Sequence, residues 1–168
     1  ERFDLPGLDD SKKLSAKKRE SLYDAICSQA AAWCVASASE QEIDEVNILQ
    51  ATFLAMRRAV EGLHPAAEYA LIDGNRMPPL PIPGEPIIKG DSLSASISAA
   101  SILAKVSRDR YMVEIDRLYP QYQFAKHKGY GTKLHVELLK KYGPCPIHRK
   151  SFLKKILTPE ELQRGQKL

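Results

Sequence analysis

Long apolar runs are missing from this sequence. None approaches the ~20 residues that a membrane-spanning helix needs, and no charged-then-apolar leader pattern opens the chain. A soluble protein with no membrane partner is therefore expected. Cysteine is scarce: Cys27, Cys34 and Cys145 are odd in number and show no C-x-x-C spacing, which indicates neither a disulfide framework nor a zinc site. Three scattered thiols fit a reducing cytoplasm. The four histidines, at 64, 127, 135 and 148, lack paired metal-ligand spacing, so a catalytic metal here would be held by oxygen. Repeats and low-complexity linkers are absent too. With 168 residues and 43% hydrophobic content, the expectation is one globular domain, 1–168, with enough chain for a core.

What is present includes two acids at the ends of apolar stretches: Asp73 in Leu71-Ile72-Asp73-Gly74, and Asp91 in Ile87-Ile88-Lys89-Gly90-Asp91. Each taken alone is better read as a turn cap before glycine or serine. Together, in a chain with a basic C-terminal half, they point to metal-dependent work on a phosphate backbone. Divalent ions neutralise phosphoryl oxygens and generate hydroxide, and carboxylates hold such ions.

The net charge of +4 is unevenly spread. Residues 121–155 carry nine basic side chains (Lys126, Lys128, Lys133, Lys140, Lys141, Arg149, Lys150, Lys154 and Lys155) against one acid, Glu137. Tyr122, Phe124, Tyr130 and Tyr142 are interleaved with them. A few such lysines would be read as a solvated face. At this density, cations that neutralise phosphates and rings that pack on sugars and bases point to nucleic acid. A second basic cluster, Lys12, Lys13, Lys17, Lys18 and Arg19, lies near the start.

Periodicity and caps predict an alternating α/β order. Ser15 caps a helix running toward Ala30, and Ala32 to Ala36 reads as a short strand with Trp33 in the core. Asn47 caps a second helix that Gly62 and Pro65 end. Tyr69 to Ile72 reads as a buried strand. Met77 to Pro86, with five prolines and a glycine, reads as an irregular loop, and Ile87-Ile88 as another strand. Ser94 to Tyr119 is expected as one long helix, small-residued in its first half. Lys133 to Lys141 is expected as a further helix, with a loosely held tail from Pro159. In such folds the active residues lie at strand carboxyl ends.

Eight short motifs occur in order along the chain: Asp9-Asp10-Ser11-Lys12-Lys13-Leu14-Ser15, Glu42-Ile43-Asp44, Leu71-Ile72-Asp73-Gly74, Lys89-Gly90-Asp91, Ala99 to Val106, Arg108-Asp109-Arg110, His127-Lys128-Gly129-Tyr130, and Ile147-His148-Arg149. In this the sequence resembles bacterial ribonuclease HII from Pro6 to Phe152. The resemblance implies an RNase H-like mixed sheet flanked by helices, with a basic helical portion, 121–168, contacting the substrate. It implies an endonuclease that cuts the RNA strand of RNA–DNA hybrids and cuts 5′ of single ribonucleotides in duplex DNA, as in ribonucleotide excision repair. It also implies four acids holding two Mg²⁺ or Mn²⁺ ions, two of them matched by Asp73 and Asp91. Lys12 matches a lysine near the substrate phosphate, where a flexible ammonium suits a point-charge contact. Tyr130 matches a ring packed on sugar at the RNA–DNA junction. A monomer is expected.

The family's Asp-Glu-Ala-Gly-Arg-Gly motif, on a first strand ahead of the Asp-Asp-Ser-Lys stretch, appears nowhere in the 168 residues. By the resemblance it would supply the other two acids and the backbone that senses the ribose 2′-hydroxyl. The expectation is an N-terminally incomplete version of a working enzyme. The alternative is a non-catalytic binder of hybrid duplex, since only two of four acids are present. Asp109, between Arg108 and Arg110, reads better as an ion-pair member than as a third metal ligand. His127 and His148 read better as phosphate or backbone contacts than as proton carriers.

Overall fold

The computed structural model describes Leu8 and residues 14–164. Lys12, the expected phosphate contact, lies outside the described residues, as do Asp9 and Asp10. The described chain forms α1 (Ala16–Gln29), α2 (Glu40–Val46), α3 (Ile48–Glu61), β1 (Ala70–Asp73), β2 (Gly84–Ile87), α4 (Gly90–Leu93), α5 (Ala95–Leu118), α6 (Phe124–His127), α7 (Lys133–Tyr142), α8 (Lys150–Leu153) and α9 (Pro159–Arg164). None of these helices is long and apolar enough to cross a membrane. Residue contacts divide the chain into two compact units, Thr52–Ser107 with the chain up to Ser37, and Ala38–Ala51 with the chain from Arg108 onward.

In the first unit Ser15 caps α1, its hydroxyl accepting the Lys18 N–H at 3.2 Å. Leu22 and Ile26, four apart on one face of α1, are buried with Ala99, Ile102, Leu103 and Val106 of α5. The small residues of α5 allow this close approach. The sheet among the described residues has two strands, β1 and β2, paired parallel with Ala70 opposite Gly84 and Asp73 opposite Ile87. Along β1, Ala70 and Ile72 are buried while Leu71 and Asp73 face outward, the period-two alternation of a strand.

Two expectations are corrected here. The second strand lies at Gly84–Ile87 rather than at Ile87-Ile88, and it takes in part of the proline-rich stretch. A Cβ on Gly84 would stand 2.4 Å from the Ala70 carbonyl oxygen, so glycine is what admits the close pairing. Ala32 to Ala36 forms no strand, and Trp33 is 45% exposed, edge-on to Tyr23 with ring centroids 6.4 Å apart. Alternating apolar residues make a strand only where a neighbour takes up their backbone groups.

In the second unit Ser39 and Glu42 close a reciprocal capping box on α2, a helix the apolar pattern does not reveal. Asn47 ends α2 and starts α3. Its backbone stands at φ 72°, and its side-chain oxygen accepts from Leu49 and Gln50 N–H groups at 3.0 and 3.2 Å. The core gathers Met112 and Ile115 of α5 with Tyr122, Phe124, Leu139, Cys145, Leu153 and Leu157. Tyr122 is pinned at both ends, its ring stacked on Phe124 and its hydroxyl donating to the Gly143 carbonyl at 2.6 Å. The tail from Pro159 carries a helix, α9, started by a reciprocal pair between Thr158 and Glu161.

Candidate active site

Asp73 is the last residue of β1. Gly74 follows at φ 141°, a backbone region that disfavours side chains, and its N–H donates to the Ile87 carbonyl at 3.0 Å. The strand therefore ends with the Asp73 side chain exposed at the carboxyl end of the sheet. Downstream of β2 the chain turns through Lys89, a non-glycine residue held left-handed at φ 57°, into α4. Gly90 N–H then donates to Asp73 Oδ1 at 2.9 Å. A Cβ on Gly90 would stand 2.5 Å from Ile97 Cδ1, so a side chain here would push the tip of Ile97 aside.

Asp91 occupies the first turn of α4, which packs on β1, and is only 7% exposed. Ser92 Oγ stands 3.4 Å from its Oδ1. The two acids chosen from sequence thus lie at one end of the sheet, Asp73 bonded to the peptide preceding Asp91. Both donors are hard oxygens, the chemistry that Mg²⁺ and Mn²⁺ take. Among the described residues no group of three or more His, Cys, Asp or Glu side chains is arranged to hold a metal ion.

The second unit carries Tyr130, a residue 61% exposed. It sits in a tight loop after Lys128 (φ 53°) and Gly129 (φ 81°). Its N–H donates to the His127 carbonyl at 2.9 Å, and its carbonyl accepts from Thr132 N–H at 2.8 Å. His127 and His148 are buried, each bonded to backbone. His127 Nε2 donates to the Tyr122 carbonyl at 2.8 Å, and its Nδ1 accepts the Gly129 N–H at 3.1 Å. His148 Nδ1 accepts the Cys145 N–H at 3.0 Å. Burial, then the neighbouring His135, pushes His148 down to about 4 from the ordinary 6.5. Burial pushes the Cys145 thiol up to about 11, so it is no thiolate nucleophile despite its 3.1 Å contact with His148 Nδ1.

Three residues gained a role only in three dimensions. Asp44 caps α8 across the unit, accepting from the N–H groups of Lys150 and Ser151 at 2.7 and 2.9 Å and from the Ser151 hydroxyl. Although desolvation opposes it, these bonds with Ser151 and Lys150 hold the Asp44 carboxyl below the usual carboxylate range. Arg149, next to α8, lays its guanidinium 3.8 Å from the Phe152 ring centre, so part of the basic segment is packed rather than solvated. His135 bonds the Tyr130 carbonyl from five residues away. Its sequence signal was slight, a position three after the Thr132 cap of α7.

A family described as Ribonuclease HII matches residues 1–155 of the chain. A curated protein named Ribonuclease HII, from Albidiferax ferrireducens, is 59% identical over 148 residues, which span 88% of this chain and 72% of that protein. The crystal structure of the ribonuclease H2 from Pyrococcus horikoshii OT3 superposes with a TM-score of 0.74 at 24% identity, covering 96% of this chain and 83% of that one.

Proposed function

The chain belongs to the ribonuclease HII family, with an RNase H-like α/β fold, and is a ribonuclease H enzyme; we propose that it hydrolyses the RNA strand of RNA–DNA hybrids and cuts 5′ of ribonucleotides embedded in duplex DNA. The observation that carries this reading is the join between the two acids. Asp73 at the end of β1 holds the Gly90 N–H, and Asp91 follows directly in a buried first turn. The family depends on divalent metal, and in this reading Asp73 and Asp91 are two of the four acids that hold two Mg²⁺ or Mn²⁺ ions. Such ions, when bound, neutralise the phosphoryl oxygens and lower the pKa of attacking water. The chain's own residues supply the rest. The Asp73 backbone and Gly74 fix where the carboxylates stand, Lys12 takes a substrate phosphate, and Tyr130 packs on the sugar at the RNA–DNA junction.

Mn²⁺ provides a test that needs no turnover. Added to the 168-residue chain, it is expected to broaden the amide NMR signals of Gly74, Gly90 and Asp91 first. In Asp73→Asn the same additions should leave those signals sharp, because an amide lacks the charge that draws a hard cation. Broadening centred on another group of acids would move the site.

The basic segment is expected to give hybrid affinity that falls steeply with salt, since each neutralised phosphate releases counterions. Lys126 and Lys128 are the pair to replace, because Arg149 is committed to the Phe152 ring. Their joint change to alanine should make the slope of log affinity against log salt shallower by up to about two. An unchanged slope would place the duplex on another face.

A second reading, hybrid binding without catalysis, has one observation behind it: two acids rather than three or more gather among the described residues. Salt-dependent binding with no Mn²⁺ broadening at Gly74 and Gly90 would favour it.

A further inference from the structure

Three imidazoles meet beneath the Tyr130 loop, and their hydrogen bonds assign one set of protons. His135 Nδ1 lies 2.9 Å from the Tyr130 carbonyl oxygen, which can only accept, so Nδ1 carries the proton and Nε2 is left as an acceptor. His148 Nδ1 lies 3.0 Å from the Cys145 N–H nitrogen and 3.3 Å from the Cys145 carbonyl oxygen. Because its Nε2 faces the acceptor His135 Nε2 at 3.2 Å, a neutral His148 carries its proton on Nε2 and accepts the Cys145 N–H at Nδ1. Both rings are neutral, and His148 donates to His135, which donates to Tyr130. His127 stacks on the other face of His135, ring centres 4.1 Å apart and planes 12° apart, while its Nδ1 takes the Gly129 N–H. The Gly129 N–H and the Tyr130 carbonyl are thus each held by an imidazole, the Tyr130 N–H between them is held by the His127 carbonyl, and the Tyr130 carbonyl is held a second time by Thr132 N–H.

Tyr130 is 61% exposed. The backbone beneath it, between the left-handed Lys128 and Gly129 and the doubly held carbonyl, fixes where its side chain leaves the loop. We propose that His135, its tautomer locked by His148, is a positioning residue that fixes the Tyr130 peptide and thereby presents the Tyr130 ring to the sugar at an RNA–DNA junction. The inference rests on the reading of Tyr130 as a substrate contact. His135 itself touches no substrate.

The measurement is a junction preference, made on a form in which an Asp-Glu-Ala-Gly-Arg-Gly strand precedes Asp9, without divalent metal so that nothing is cut. It is the affinity for a DNA duplex holding one ribonucleotide divided by the affinity for the same duplex in DNA alone. Backbone charge cancels in that ratio. Tyr130→Ala should lower the preference about tenfold, the scale of one lost aromatic contact to nucleic acid. His135→Phe keeps a flat ring against His127 but loses the donor, and should lower it about fivefold or more. His135→Asn places an amide N–H near where Nδ1 stood and should keep the preference within about twofold of the parent. The double change Tyr130→Ala with His135→Phe should fall no further than Tyr130→Ala alone, as expected for residues acting in series.

Circular dichroism checks that each variant is folded. A folded His135→Phe with the parent's preference, or a double variant in which the two losses add, overturns the positioning role and leaves Tyr130 as the contact. An unchanged preference in Tyr130→Ala overturns the reading of Tyr130 itself, and the inference with it. Should His135→Phe fail to fold, His135→Asn decides: a retained preference supports the inference, and a fall to the Tyr130→Ala value overturns it.

Discussion

Asp73→Asn is expected to lower Mg²⁺- or Mn²⁺-dependent cutting of a duplex carrying one ribonucleotide by at least ~10³-fold, about 4 kcal/mol of barrier. The fold should survive, because the asparagine carbonyl can still accept the Gly90 N–H that Asp73 Oδ1 takes at 2.9 Å. What is lost is the charge that holds a hard cation. The reference for the assay is a form in which an Asp-Glu-Ala-Gly-Arg-Gly strand precedes Asp9. The 168 residues lack that motif, and two carboxylates recruit metal poorly. The 168-residue chain alone is therefore expected to cut far more slowly than the reference. Retention of a tenth or more of the reference rate by Asp73→Asn would remove Asp73 from the chemistry. Robust metal-dependent cutting by the 168-residue chain would assign the missing ligands to other acids, Asp109 or Asp10 first.

The acids were legible because their signal is local. A carboxylate after an apolar run and beside a glycine marks a strand end, which is where Asp73 stands, whereas Asp91 falls in the first turn of helix α4 rather than at the end of β2. Ser15 and Asn47 were equally local signals, since each side chain bonds a backbone N–H two or three residues on. The hydrogen bond from Gly90 to Asp73 was not legible, because it joins residues 17 apart through the pairing of β1 and β2. The same pairing explains the misplaced second strand. Gly84 and Pro86 read as loop residues, yet Gly84 is what lets β2 lie against the Ala70 carbonyl, and proline is tolerated on an edge. The helix α2 buries no residue fully and has only seven residues, too few for periodicity to register. The histidines failed as a pattern for a related reason. Residues 127, 135 and 148 show no regular spacing, and they meet only because α6, the start of α7 and the chain before α8 fold onto Tyr122 and Phe124. Their predicted role as backbone contacts does hold for His127 and His148.

Mild acid is expected to destabilise the second unit well before its carboxylates titrate. His148 is 7% exposed, so a proton there costs desolvation, and at Nδ1 it exchanges the Cys145 N–H for the Cys145 carbonyl 3.3 Å away. Burial and the neighbouring His135, His127 and Arg149 depress it to about 4 from 6.5, against a smaller opposing pull from the Cys145 backbone. The other groups facing it stay neutral, since burial pushes the Cys145 thiol up to about 11 and Tyr122 up to about 12. With the folded value below the unfolded one, the unfolded chain takes the proton first. The stabilisation is intact above 6.5, is lost as pH falls from 6.5 toward about 4, and changes no further below that. The whole span corresponds to roughly 3 kcal/mol, of which roughly 2 kcal/mol is gone by about pH 5. His135, also depressed chiefly by burial, adds in the same direction. Asp44, whose carboxyl is held low by its bonds to α8, loses its contribution only below the ordinary carboxylate range, a separate window. Urea unfolding followed by far-ultraviolet circular dichroism at about pH 7 and about pH 5 checks the prediction. His148→Gln keeps an amide N–H near the Nε2 position and cannot titrate, so its starting stability should be lower and its loss between the two pH values much smaller. Equal midpoints for the parent at both pH values, or an undiminished loss in His148→Gln, would show that the buried imidazole does not set the acid limit.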